Sequence, residues 1–161
     1  MYIRSFAEQS TLIEIRPINK SDYQAWLPLW EGYNAFYGRQ GLTALDPNIT
    51  KSTWSRFFND SEPVNAFIAE LEDNVVGFVH FIYHRNTIHI NDVCYLQDLY
   101  VGENARNSGI GKHLIEAVYQ AAKKAGSKRV YWNTQITNAA GRALYDKVAK
   151  HNGFILYSTE W

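Results

Sequence analysis

The sequence predicts an α/β protein built on a mixed sheet, and three observations predict it. Strand-like segments, alternating or continuously apolar and bounded by turn residues, occur at six places. Four segments carry apolar residues at helical spacing. The two kinds interleave in the order β-α-α-β-β-β-α-β-α-β, with no repeat, linker or low-complexity stretch dividing the 161 residues. A chain of this length suits one domain, residues 1–161, with a sizeable core.

Thr11 to Ile18 alternates, with Leu12, Glu14 and Arg16 on one face and Ile13 and Ile15 on the other, which reads as a strand. Ser21-Asp22 starts a helix whose apolar residues fall at Tyr23, Trp26, Leu27, Trp30, Tyr33 and Phe36-Tyr37, and Gly38 and Gly41 stop it. Asp46-Pro47 is a turn signal, and Thr50 to Phe58 is a second helix ending before Asn59-Asp60-Ser61. Val64 to Leu71 and Val75 to Tyr83 form a hairpin about the tight turn Glu72-Asp73-Asn74. Ile88 to Val101 is a longer strand, bent or bulged. Ser108 to Ala125 is the strongest helix, with an inner stripe of Leu114, Val118, Ala121, Ala122 and Ala125, closed by Gly126 at the C′ position. Lys128 to Trp132 is a strand, Asn138 to Lys150 a helix, and Gly153 to Ser158 a final strand.

Composition excludes several functions. Hydrophobic residues make up 46% of the chain, which argues against disorder. Lys+Arg and Asp+Glu balance at 16 each, and no arginine-lysine block occurs, so general affinity for nucleic acid has no support. The one cysteine, Cys94, precludes an internal disulfide; set in an apolar strand, it reads as a buried, inert thiol. The five histidines, His80, His84, His89, His113 and His151, show no metal-binding spacing, so no metal is expected. Met1 to Ser10 has no long apolar run, and no segment reaches the ~18 apolar residues of a membrane span, so a cytoplasmic protein is expected.

The most informative stretch is Arg106-Asn107-Ser108-Gly109-Ile110-Gly111-Lys112, between a strand and a helix. Its two glycines let backbone approach a bulky anion without Cβ clashes. The free N–H groups of a helix start, at the positive end of its dipole, favour phosphate. Ser108 is placed to cap the helix, and Arg106 and Lys112 add charge. A dinucleotide fingerprint would need G-x-G-x-x-G early in a βαβ unit, which is absent. A P-loop would need a glycine where Arg106 stands and a hydroxyl where His113 stands. Arg106-x-x-Gly109-x-Gly111 remains.

That pattern resembles the pyrophosphate-binding motif of the GNAT superfamily of acetyl-CoA-dependent N-acetyltransferases. The resemblance extends to Val76-Gly77-Phe78, to Tyr95-Leu96-Gln97-Asp98-Leu99-Tyr100-Val101 leading into the motif, to Asn138-Ala139-Ala140-Gly141-Arg142-Ala143-Leu144-Tyr145, and to Gly153-Phe154, from about Leu12 to Tyr157. Within the superfamily the chain is similar to the branch holding spermidine/spermine acetyltransferases and the yeast histone and D-amino-acid acetyltransferases. Trp30 to Gly38 and Trp132-Asn133-Thr134 carry that likeness. The resemblance implies a GNAT fold, a mixed, mostly antiparallel twisted sheet of six to seven strands flanked by about four helices. It implies direct attack by a primary amine on acetyl-CoA in a ternary complex, and, by analogy, a homodimer. The aromatic residues Tyr2, Phe6 and Trp161 are candidates for burial at its interface.

The same resemblance supplies residue roles. Arg106, Asn107, Ser108, Gly109, Ile110, Gly111 and Lys112 hold the pyrophosphate. The backbone of Leu99, Tyr100 and Val101 holds the pantetheine arm like an added strand and polarises the thioester oxygen. Asn138 caps a helix and bonds the pantetheine, and Tyr145 protonates the leaving thiolate. The general base is open. Polyamine-acetylating relatives carry Glu where this chain has Gln97, and glutamine accepts no proton at neutral pH. Asp98 points to the opposite face of a regular strand and serves only if a bulge re-aims it. Asp92, Glu31 and a water relay ordered by Gln97 are the alternatives, and a structural role for Asp98 competes with a catalytic one.

For the acceptor, Glu31, Asp92 and Asp98 among Tyr33, Tyr37 and Tyr83 suit a small cationic amine: a polyamine, diamine, lysine-like compound or amino acid. Peptide lysine or an aminoglycoside-type amine is the second enzymatic reading. A non-catalytic acetyl-CoA-binding sensor is the reading of another class.

Overall fold

Strand order follows chain order in the sheet of this protein. The computed structural model describes residues 12–161, which divide into one unit ending at Tyr131 and a second comprising Trp132–Trp161. Thr11, Met1 to Ser10 and the aromatics Tyr2 and Phe6 lie outside the described residues.

In the first unit, β1 (Ile13–Pro17), β2 (Val64–Leu71), β3 (Asn74–Asn86) and β4 (His89–Val101) pair antiparallel in succession. β5 (Val130–Tyr131) joins β4 in parallel through Cys94↔Val130 and Tyr95↔Tyr131. Between β1 and β2 run α1 (Tyr23–Phe36) and α2 (Pro47–Arg56); α3 (Ile110–Lys124) links β4 to β5. The β2–β3 hairpin turns on Glu72 and Asp73, both left-handed (φ 51° and 63°), the conformation of a two-residue turn matched to strand twist.

Local chemistry sets the boundaries. Asp22 accepts from the Asn19 backbone while Asn19 caps in return, starting a short 3₁₀ turn that leads into α1. Asp46 caps α2, and Pro47 occupies its first turn, where a missing N–H costs nothing. α2 therefore begins three residues before the expected Thr50. Gly126 (φ 79°) closes α3.

The sheet buries both faces. On one, Ala66, Ile68 and Phe78 pack against Trp26, Trp30 and Tyr33 of α1, with Trp54 and Phe57 of the α2 region alongside. On the other, α3 presents Ile110, Leu114, Ile115, Val118 and Ala122, all buried. The expected stripe included Ala125, which is exposed because it follows the last helical residue, and it omitted Ile110 and Ile115. Gly32 lets α1 settle onto β4, for a Cβ there would stand 2.5 Å from the Tyr100 hydroxyl.

In the second unit, α4 (Ala139–Val148) is capped by Asn138. Residues 149–161 carry no regular structure, so the expected strand Gly153 to Ser158 is absent and the described sheet has five strands, not six or seven. A strand exists only through its pairing, and alternation along a segment supplies no partner. Phe154, Ile155, Leu156 and Tyr157 are exposed, as is Trp161. No described helix is long and apolar enough to cross a membrane.

Candidate functional site

The site grows from an irregularity in β4. In the β3–β4 ladder, Phe81 pairs with Leu96 and His80 with Asp98, so Gln97 opposes no residue. This is a β-bulge. Leu96 and Asp98, two apart, would share a face of a regular strand; the extra residue divides them. Gln97 is left exposed, while Asp98 is buried with His80 on the face covered by α1.

Asp98 is held from two sides. His80 Nδ1 lies 2.9 Å from its Oδ2, and the Nε1–H of Trp26 donates to His80 Nε2 at 3.0 Å. An indole N–H only donates, so Nε2 accepts and the ring proton sits on Nδ1, facing the carboxylate. Trp26 and His80 are both almost fully buried, so this tautomer is locked by packing. The Tyr33 hydroxyl also faces Asp98. Burial and the Asp98 charge push the phenols of Tyr33 and Tyr37 upward, so both remain protonated donors at neutral pH.

Arg39 stands against the same tyrosines. Its guanidinium carbon lies 5.8 Å from the Tyr33 ring centre and 5.2 Å from that of Tyr37, and its Nε donates to Asn34 Oδ1 at 2.8 Å. Beside it opens a cavity of about 440 Å³ walled by Tyr23, Leu27, Trp30, Glu31 and Asn34. Glu31 thus lies in a cavity wall, whereas Tyr33 and Tyr37 join Asp98. Asp92 is elsewhere: Arg85 Nη1 approaches its Oδ1 at 3.0 Å, out of line for a hydrogen bond, as an ion pair near the hairpin end. Six residues along β4, it sits roughly 20 Å from Asp98 at about 3.3 Å per residue. That distance removes Asp92 from the group around Asp98.

The anion cradle follows β4. Asn107 and Gly109 are left-handed (φ 62° and 81°), and Gly109, not Ser108, is the N-cap of α3. Ser108 turns its hydroxyl back to the Ala105 carbonyl, so the expected cap is not made. No side chain caps α3, and the N–H groups of Ile110, Gly111 and Lys112 precede its first intrahelical bond, His113 N to Gly109 O. Arg106 folds back to donate to the Val101 carbonyl at 3.0 Å and lies over the Tyr100 ring. Lys112 reaches Glu116 at 3.6 Å, an exposed pair of small strength. Uncapped donors, helix dipole and two cations fit a pyrophosphate. Next to the cradle, the β4–β5 ladder ends at Tyr95, so beyond it the Leu99–Val101 edge has no strand beside it among the described residues.

Within the second unit, Asn138 Oδ1 accepts from Gly141 N at 3.1 Å and its Nδ2 donates to Thr134 Oγ1 at 3.0 Å. A Cβ at Gly141 would lie 2.5 Å from Asn138 Nδ2, so glycine makes room for the cap. Tyr145 packs edge-on against Trp132, ring centres 5.4 Å apart.

Two residues escaped the sequence reading. His80 reads as one of several strand histidines, and only strand register places it opposite Asp98. Arg39, in the Gly38–Gly41 loop, carries no local motif; its setting beside Tyr33 and Tyr37 is tertiary.

A family model, Acetyltransferase (GNAT) family, matches residues 25–149. The chain is 36% identical to the D-amino-acid N-acetyltransferase HPA3 of Saccharomyces cerevisiae, over 90% of this chain and 89% of the relative. It is 29% identical to the uncharacterized N-acetyltransferase YhfO of Bacillus subtilis, covering 90% and 95%. Among solved structures, the aminoglycoside acetyltransferase AAC(6')-Iy in complex with a bisubstrate analog has the same fold, with a TM-score of 0.77 at 17% identity, covering 94% of this chain and 99% of that one.

Proposed function

The chain belongs to the GNAT family of N-acetyltransferases, and from that premise we propose that it moves an acetyl group from acetyl-CoA to a small primary amine, with Asp98 as the proton acceptor. The observation that carries this reading is the bulge at Gln97, which turns Asp98 toward His80 and Tyr33.

Acetyl-CoA supplies an acetyl group activated as a thioester. The uncapped N–H groups of Ile110, Gly111 and Lys112, with Arg106, suit its pyrophosphate, and the unpaired Leu99–Val101 edge suits its amide-bearing arm. An alkyl ammonium titrates near 10.4, so at neutral pH the acceptor arrives protonated. Asp98 takes that proton and frees the nitrogen lone pair. His80 fixes the carboxylate's orientation by donating to it. Tyr145 gives its phenolic proton to the departing sulfur. The acceptor is an amino acid before a polyamine, since the yeast relative is named for D-amino acids.

Thiol release from acetyl-CoA, measured with D- and L-amino acids, polyamines, lysine peptides and aminoglycosides, tests the activity. Asp98→Asn lowers kcat by roughly 10²- to 10⁴-fold, and Tyr145→Phe lowers it with acetyl-CoA binding retained. An unchanged kcat and pH profile in Asp98→Asn removes Asp98 from this role. Tight acetyl-CoA binding without turnover of any amine favours a sensor module instead.

A further inference from the structure

We propose that Arg39 is the carboxylate-binding residue of the acceptor site, so that the amine acetylated here carries a carboxylate close to its amino group, as an amino acid does; the proposal rests on the N-acetyltransferase reading above. Opposite charges flank one wall of tyrosines. Asp98 lies beside the Tyr33 hydroxyl, and the Arg39 guanidinium stands against the Tyr33 and Tyr37 rings. The two rings are 5.1 Å apart, so the carboxylate and the guanidinium border one aromatic pair. A zwitterion with its ammonium at Asp98 and its carboxylate at Arg39 matches both charges. A polyamine would set a second cation against Arg39.

The guanidinium is built to receive an anion. Its Nε is committed to Asn34 Oδ1, whose own amide donates to the Trp30 carbonyl at 2.8 Å, and the Arg39 backbone N–H bonds the Asn34 carbonyl at 2.9 Å. Asn34 is buried, so the anchor is rigid. Among the described residues no carboxylate forms an ion pair with Arg39. The terminal nitrogens retain the fork that takes a carboxylate through two parallel bonds. The adjoining cavity, with Leu27 and Trp30 in its wall, has room for an apolar side chain.

The experiment compares D- and L-forms of phenylalanine, leucine and lysine, each with its amide and its decarboxylated amine, by acetyl-CoA turnover and by equilibrium binding followed through tryptophan fluorescence. The wild type prefers the acid over the amide by about 10- to 100-fold, the worth of a charge-assisted pair. Arg39→Gln abolishes that preference, and Arg39→Lys keeps only part of it. Because the readout is a ratio of acid to amide, a loss of folded protein does not imitate it. Equal use or binding of acid and amide by the wild type, or an undiminished ratio in Arg39→Gln, overturns the proposal while leaving the transferase reading intact. Acid-selective binding without turnover of any amine supports the Arg39 site and instead removes the transferase reading.

Discussion

Asp22 shows how much one carboxylate can tie together. Its oxygens accept both Arg16 terminal nitrogens, at 2.8 and 2.9 Å, and Arg16 also reaches Glu70 of β2 at 2.6 Å. The same carboxylate accepts from the Asn19 backbone. A residue at the entrance to α1 is thereby locked to β1 and β2. These bonds, the Arg16 pair foremost, hold the Asp22 carboxyl below its ordinary range. A depressed folded value means stability that is present above the unfolded value, near 3.9, and lost as pH falls through the folded one. Asp22→Asn is expected to cost about 2 kcal/mol at pH 7, with the difference from wild type closing in acid. Urea titrations at pH 7 and below pH 3.9 check this; a pH-independent difference would refute the charge-based account. Such a network was invisible in the sequence, because the register of Arg16 with Ile68 and the fold of α1 bring its members together.

At the scale of the element, the bulge in β4 places Asp98 opposite His80, and the proposed chemistry depends on that placement. Gln97 is exposed, whereas Asp98 is buried against His80. Gln97→Ala is expected to keep kcat within about threefold, since the residue count that places Asp98 is retained. A loss of 10²-fold or more would return the base to a Gln97-ordered water relay. Most elements were legible from their punctuation. β2 matches its expected range residue for residue, and the Glu72-Asp73 turn and the Gly126 stop follow from turn chemistry. The failures share a cause. The final strand needed a partner, the Ser108 cap lost to a left-handed Gly109, and β5 shrank from five residues to two because its ladder with β4 is that short.

At the scale of the whole molecule, the buried interior isolates the one thiol. Cys94 is fully buried in β4, and burial pushes its thiol up to about 12. A disulfide reagent is expected to detect no thiol in the native protein and one in denaturant. Rapid native labelling would show that the sheet opens locally at β4. The reagent used to follow CoA release therefore meets no background from the enzyme. As for legibility at this scale, the Arg106–Lys112 cradle was readable because it is contiguous and glycine-marked. His80 and Arg39 were not, because strand register and a loop, with no local motif, bring them to Asp98 and to Tyr33.

The strand order described at the outset also dictates how the chain finds its fold. β2, β3 and β4 are consecutive and antiparallel, so residues 64–101 can zip by closing two short turns. β1 must instead wait for the α1–α2 excursion to be spanned before it meets β2. The entropy of that longer loop falls due late, so the meander forms first and β1 docks afterwards. The bulge that aims Asp98 lies inside the early meander, which sets Asp98 opposite His80 before the helix that covers them arrives.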